Sequence, residues 1–169
     1  DEFWIDTEAA VLATTRRHLE TYKIGRAVAV EDVTAERTLF SLIGPGSVHV
    51  AGSPPLLEHA CEPIAFGGVE CLAVGTGRGI DLIATGGDAT RLRAAIVEAG
   101  APEVGAEAVE ILRIESGTPR FGAEMDAGTM PAEAGIVGTA VDFEKGCYIG
   151  QETVARLHYR GKPNRHLRG

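Results

Sequence analysis

Cys147 stands two residues after Lys145 and shortly before the Gly150-Gln151-Glu152 step, which reads as the start of a short helix. A neighbouring cation and the positive end of a helix both favour thiolate over thiol. A thiolate at this position would be nucleophilic, oxidisable or metal-binding. Cys61 and Cys71 read instead as small buried hydrophobes, a common fate of free cysteine. Three cysteines without a C-x-x-C pair suit neither a disulfide framework nor a structural zinc site. The five histidines form no H-x-x-x-H pair, so no metal site is expected, and a reducing, cytoplasmic compartment fits best.

A second group of candidates lies in Arg113-Ile114-Glu115-Ser116-Gly117-Thr118-Pro119-Arg120-Phe121-Gly122. Here Glu115 falls at the end of a helix, against the unfavourable end of its dipole. Such a carboxylate usually has a compensating partner or a ligand that donates to it. A heterocycle with adjacent amino and ring N–H groups would do so in a bidentate manner, with Phe121 near enough to stack on it. A surface ion pair between Arg113 and Glu115 is the alternative reading.

These residues need a folded frame, and the composition supplies one. At 169 residues, 44% hydrophobic and 24% charged, the chain suits one ordinary domain or two small ones, and general disorder is excluded. Apolar runs break well before the roughly 18 residues of a spanning helix, and no basic-then-apolar leader opens the sequence. The first residues, Asp1-Glu2-Phe3, lack a Met and the last, Arg168-Gly169, follow a turn signal, so a piece of a larger chain is expected. Charge is uneven. Residues 145–169 hold six basic residues against Glu152, a local +5 that leaves −13 for the remainder. An acidic body argues against direct DNA binding, whereas the basic end suits phosphate, a polyanionic cofactor tail or RNA. A solvated basic face explains the same residues equally well.

Periodicity predicts a strand at 3–5, then a helix capped by Thr7 and carrying Val11, Leu12, Leu19 and Tyr22. Paired strands follow at 27–33 and 37–43, a weaker helix at 53–60, and a strand pair at 69–74 and 80–84 about the turn Gly75 to Gly79. Asp88 is placed to cap a helix through Leu92 and Ile96. This order describes an α+β unit with helices on one face of an antiparallel sheet, for which a ferredoxin-like arrangement is expected. Beyond Pro102 we expect a helix at 107–115 stopped by Gly117 and Pro119, an irregular segment at 120–138, a strand at 137–143, and a helix after Gly150 with Val154 and Leu157 inward. Arg156 and Arg160 would lie one turn apart on its outside.

Lys145-Gly146-Cys147-Tyr148-Ile149-Gly150-Gln151-Glu152 resembles the signature of the YgfZ family, relatives of the T-protein (aminomethyltransferase) of the glycine cleavage system. Arg113 to Gly122 resembles an element shared by both families, and Pro131-Ala132-Glu133-Ala134-Gly135 resembles the P-x-E-A-G that follows it. The resemblance implies a folate-binding domain with a ferredoxin-like segment inserted, here residues 1–102. Residues 103–169 would be the returning part of that domain, with the family's N-terminal segment and C-terminal barrel absent. It further implies tetrahydrofolate as cofactor, its pterin held by Glu115 with Phe121, Arg113 and Tyr148 nearby, and Cys147 as a functional thiol beside Lys145.

Two departures from T-proteins favour the YgfZ branch. T-proteins carry G-Y-T-G-E where this chain has Gly75-Thr76-Gly77-Arg78-Gly79, and an acid where Cys147 stands. The catalytic carboxylate of T-proteins lies in the absent N-terminal segment, so no catalytic Asp is assigned. The function implied is that of a tetrahydrofolate-binding accessory protein for iron–sulfur cluster assembly or repair, with an indirect effect on tRNA modification. A folate-dependent aminomethyl transferase is the first alternative, and a non-enzymatic RNA or protein interaction module the second.

Overall fold

Segments between residues 37 and 85 supply the alternation a half-buried sheet requires, and in the computed structural model, which describes residues 2–168, they form one. The chain divides into two units, Asp1–Glu103 and Val104–Gly169. In the first, helix α1 (Leu12–Tyr22) precedes strand β1 (Arg37–Ile43), the short helix α2 (Ser47–Ala51), strands β2 (Cys61–Phe66), β3 (Val69–Thr76) and β4 (Gly79–Thr85), and helix α3 (Ala89–Glu98). The sheet is open and wholly antiparallel, ordered β1-β4-β3-β2.

Two tight hairpins set the register. Gly67 and Gly68 join β2 to β3 with φ of 57° and 74°, the pair of positive angles that a type I′ turn demands. A Cβ on Gly67 would also strike the side chain of Ala95. Gly77-Arg78 joins β3 to β4, with Thr76 opposite Gly79. One face of the sheet is sealed: Val69, Cys71, Ala73, Ile80, Leu82 and Ala84 share a core with Leu92 and Ile96 of α3. Asp88 stands at the N-cap of α3, but its carboxylate takes the Thr85 hydroxyl (2.6 Å) and pairs with Arg91 instead of capping a helix N–H.

The α+β class and the antiparallel sheet agree with the sequence, while several expected elements do not form. Residues 3–5 and 27–33 have strand-like composition but no ladder partner, and composition alone does not make a strand. No helix forms at 53–60, where Pro54-Pro55 intervenes. The turn of helix lies upstream at α2 and ends at Gly52, whose φ is 60°. Strand β2 lies outside the expected strands, and Pro63 interrupts its pattern. Its position at the sheet edge tolerates the missing donor.

The second unit contains α4 (Ala106–Glu115), α5 (Pro131–Ala134), α6 (Val137–Ala140) and α7 (Gln151–Arg160). The strand expected at 137–143 is replaced by α6 and an extended stretch at Val141, with no strand to pair among the described residues of this unit. Glu133 ties the unit together locally. Its carboxylate accepts from the Met130 amide and from Arg165, and its carbonyl accepts from the Leu167 amide at 2.9 Å.

Candidate functional site

Helix α4 ends in a Schellman motif that sets the geometry of the first candidate group. Gly117 takes the left-handed conformation at φ 66°, its N–H reaches the Ile114 carbonyl, and the Thr118 N–H reaches the Arg113 carbonyl at 3.1 Å. Glu115 is therefore the last helical residue. Its carboxylate is exposed and makes no hydrogen bond or ion pair among the described residues.

Arg113, two positions earlier, points elsewhere. It is only 6% exposed. Nε and Nη2 donate to the two oxygens of Glu110 at 3.0 and 2.7 Å. Nη1 and Nη2 donate to the two oxygens of Glu124 at 2.8 and 2.9 Å, and Nη1 also reaches the Thr118 carbonyl at 2.6 Å. A guanidinium has five N–H donors, and all five are used. None remains for a ligand, and none for Glu115.

The network extends to Arg120, whose guanidinium donates to Glu110 and whose amide donates to Glu124, each at 2.9 Å. Its electrostatics follow from these contacts. Hydrogen bonds from Arg113, then the Arg120 amide, hold the Glu124 carboxyl down at about 2. Glu110 is lowered, chiefly by its hydrogen bonds from Arg113, and Arg113 is raised by the same two carboxylates. Between these anchors the chain makes a tight loop in which Phe121 bridges to Met125 and stays 38% exposed. Glu110 and Glu124 were not singled out from the sequence. Glu110 lies three residues before Arg113, a spacing that pairs on a helix, but Glu124 is brought in only by the loop.

The second group lies on the loop before α7. Asp142 accepts the amides of Glu144 and Lys145 at 2.8 and 3.2 Å and so turns the chain. The Lys145 ammonium rests over the Tyr148 ring, 5.1 Å from its centroid, as a cation–π contact. Cys147 is exposed and free, and Gly150, with φ 83°, opens α7 one turn further on. The Tyr148 hydroxyl is buried and has no hydrogen-bond partner. A buried hydroxyl left alone is costly and calls for a partner.

Glu115, Arg113 and Phe121 thus lie on α4 and the loop that follows it, and Lys145, Cys147 and Tyr148 on the loop before α7 in the same unit. Among the described residues no group of three or more His, Cys, Asp or Glu is placed to hold a metal ion, and no helix is long and apolar enough to cross a membrane. A shallow cleft of about 530 Å³ lies in the first unit against Leu12, Arg16 and Asp32, and contains none of the candidate residues.

With this geometry in place, comparison with known proteins defines the class. Residues 1–145 match the GCVT N-terminal domain, and the chain belongs to that family. It is 33% identical over 158 residues to an aminomethyltransferase of Shouchella clausii, covering 84% of this chain and 42% of that one. An aminomethyltransferase of Geobacillus thermodenitrificans is 34% identical over 154 residues, covering 82% and 42%. A chloroplastic protein of Arabidopsis thaliana provisionally named as a transferase is 31% identical over 141 residues, covering 77% and 32%. The chain therefore spans less than half the length of the relatives it matches.

Proposed function

We propose that this chain contributes the pterin-facing part of a tetrahydrofolate site in a longer, YgfZ-type accessory protein for iron–sulfur enzymes. The observation that carries the folate reading is Glu115. It presents a partner-free carboxylate at the unfavourable end of α4, beside a loop locked by Arg113. The amino and ring N–H groups of a pterin would satisfy that carboxylate, and Phe121, on the loop that follows α4, offers a half-exposed aromatic surface. Arg113 then acts as a positioning residue, since its donors are all taken. Folate when bound supplies a one-carbon carrier; Glu115 orients it.

Cys147 supports the accessory reading over a transferase, because an exposed thiol stands where T-proteins have an acid. Tyr148, with its unpartnered hydroxyl, and Lys145 would frame that thiol. The inserted segment, residues 1–102, would correspond to the family's ferredoxin-like part, in a reducing cytoplasmic setting. The aminomethyltransferase names of relatives support the second reading, in which folate is a reactant.

Titration of the full-length protein with tetrahydrofolate, compared with Glu115→Ala and Cys147→Ala, tests the assignment. We expect Glu115→Ala to weaken binding at least tenfold and Cys147→Ala to leave it intact while abolishing rescue of cluster-enzyme activity in a deletion strain. Unchanged binding in Glu115→Ala would remove the pterin role. Methylene-folate formation from an aminomethyl donor would select the transferase.

A further inference from the structure

The second unit is close to electrically balanced, with eight basic and nine acidic residues from 104 to 169, yet its cations are not evenly spent. Arg113, Arg120 and Arg165 are held by carboxylates. The side chains of Arg156, Arg160 and Lys162 make no hydrogen bond or ion pair among the described residues, and all three are exposed.

Helical spacing puts Arg156, Tyr159 and Arg160 on one outward face of α7, with Lys162 just beyond its end. Tyr159 is 69% exposed. It is not loose, however: its ring meets Phe143 edge-on at 5.8 Å and His158 edge-on at 4.8 Å, while Phe143 and His158 stack at 4.2 Å. A buttressed aromatic flanked by unpaired cations, with Glu152 one turn behind, is chemically distinct from a merely solvated charged face. Stacking on an aromatic tolerates any base, and cations beside it follow the phosphates.

We propose that the outer face of α7 is a docking surface for single-stranded RNA, with Tyr159 stacking a base and Arg156, Arg160 and Lys162 contacting the backbone. The helix is about 15 Å long, which suits a few nucleotides and no more. An acidic protein segment would use the three cations but would leave Tyr159 without a role. Binding rests on this surface alone, independent of Glu115 and Cys147.

The test is fluorescence anisotropy of the full chain with a short labelled oligouridylate across a salt series, with inorganic polyphosphate as a base-free competitor. Three phosphate contacts predict a log–log salt slope of about −2. Arg156→Gln with Arg160→Gln should reduce that slope by about 1.4, at unchanged circular dichroism. Tyr159→Ala should weaken oligouridylate binding about tenfold and leave polyphosphate binding as it was. No binding at low salt, equal losses for both ligands in Tyr159→Ala, or a salt slope indifferent to the arginines would each overturn the proposal. Unaltered tetrahydrofolate binding in these variants is also expected, which separates this surface from the folate assignment.

Discussion

The two units of this chain are held together by different physics. In the sheet unit the core is apolar: Ile80, Leu82, Leu92 and Val69 are almost fully enclosed. In the second unit, among the described residues, only Ala134 and Arg113 are buried, and Arg113 is ionic. One region folds by excluding water from hydrocarbon; the other organises its loops around a guanidinium whose every donor is matched. The first needs only residues of suitable size in alternation, the second needs particular atoms at particular places.

Truncation of the apolar core should give the largest effect. Leu82→Ala removes a side chain with no exposed surface and should cost the sheet unit about 2–5 kcal/mol, read as a lowered denaturant midpoint. Amides of residues 37–98 should lose hydrogen-exchange protection while those of 117–124 keep theirs. Loss of protection in both regions at once would erase the distinction drawn between them.

Arg113→Lys tests the other side. An ammonium offers three donors in place of a planar fork of five, so the 117–124 loop should loosen, with faster exchange at the Thr118 and Gly122 amides. The melting of the sheet should be unchanged. On the proposed folate reading, tetrahydrofolate affinity of the full-length protein should also fall, although every donor of Arg113 is taken by Glu110, Glu124 and Thr118.

The smallest effect is the most discriminating, because Glu124 in one unit and Asp81 in the other should respond to acid with opposite signs. Glu124 is lowered from an ordinary 4.5 to about 2 by Arg113, so its contribution is present above the ordinary value and is lost as pH falls toward 2. Asp81, on the sheet, is raised, chiefly by burial and also by Asp6, so its penalty is felt at neutral pH and fades as pH falls through its raised value. Acidification should therefore shift the Arg120 amide resonance, which reports directly on Glu124, while easing the strain at Asp81. Glu124→Gln should flatten the first response, and Asp81→Asn should raise the melting temperature at pH 7. A sheet unit that melts lower in Asp81→Asn would contradict the sign.

The same contrast explains what was readable in the sequence. Strands β1, β3 and β4 and helices α3, α4 and α7 follow from periodicity and from stop signals such as Gly117, because burial of alternate side chains leaves a regular trace. Pro63 masks β2 as an edge strand, and alternation at 27–33 does not reveal whether a partner strand exists. At the candidate site, Glu115 and Cys147 are candidates by residue type and position alone. The occupancy of Arg113 could not, since Glu124 is eleven residues away and meets it only after Gly117 and Gly122 have turned the chain.

Three points of the chain, at 110, 118 and 124, converge on the single planar group of Arg113. The conformational freedom of the loop is thus surrendered when the unit folds. A molecule that later settles against Phe121 meets a stiff lip and loses little affinity to ordering it. Tightness of binding at such a lip is decided by shape and donor placement in the newcomer, and selectivity among closely related heterocycles becomes attainable without any moving part.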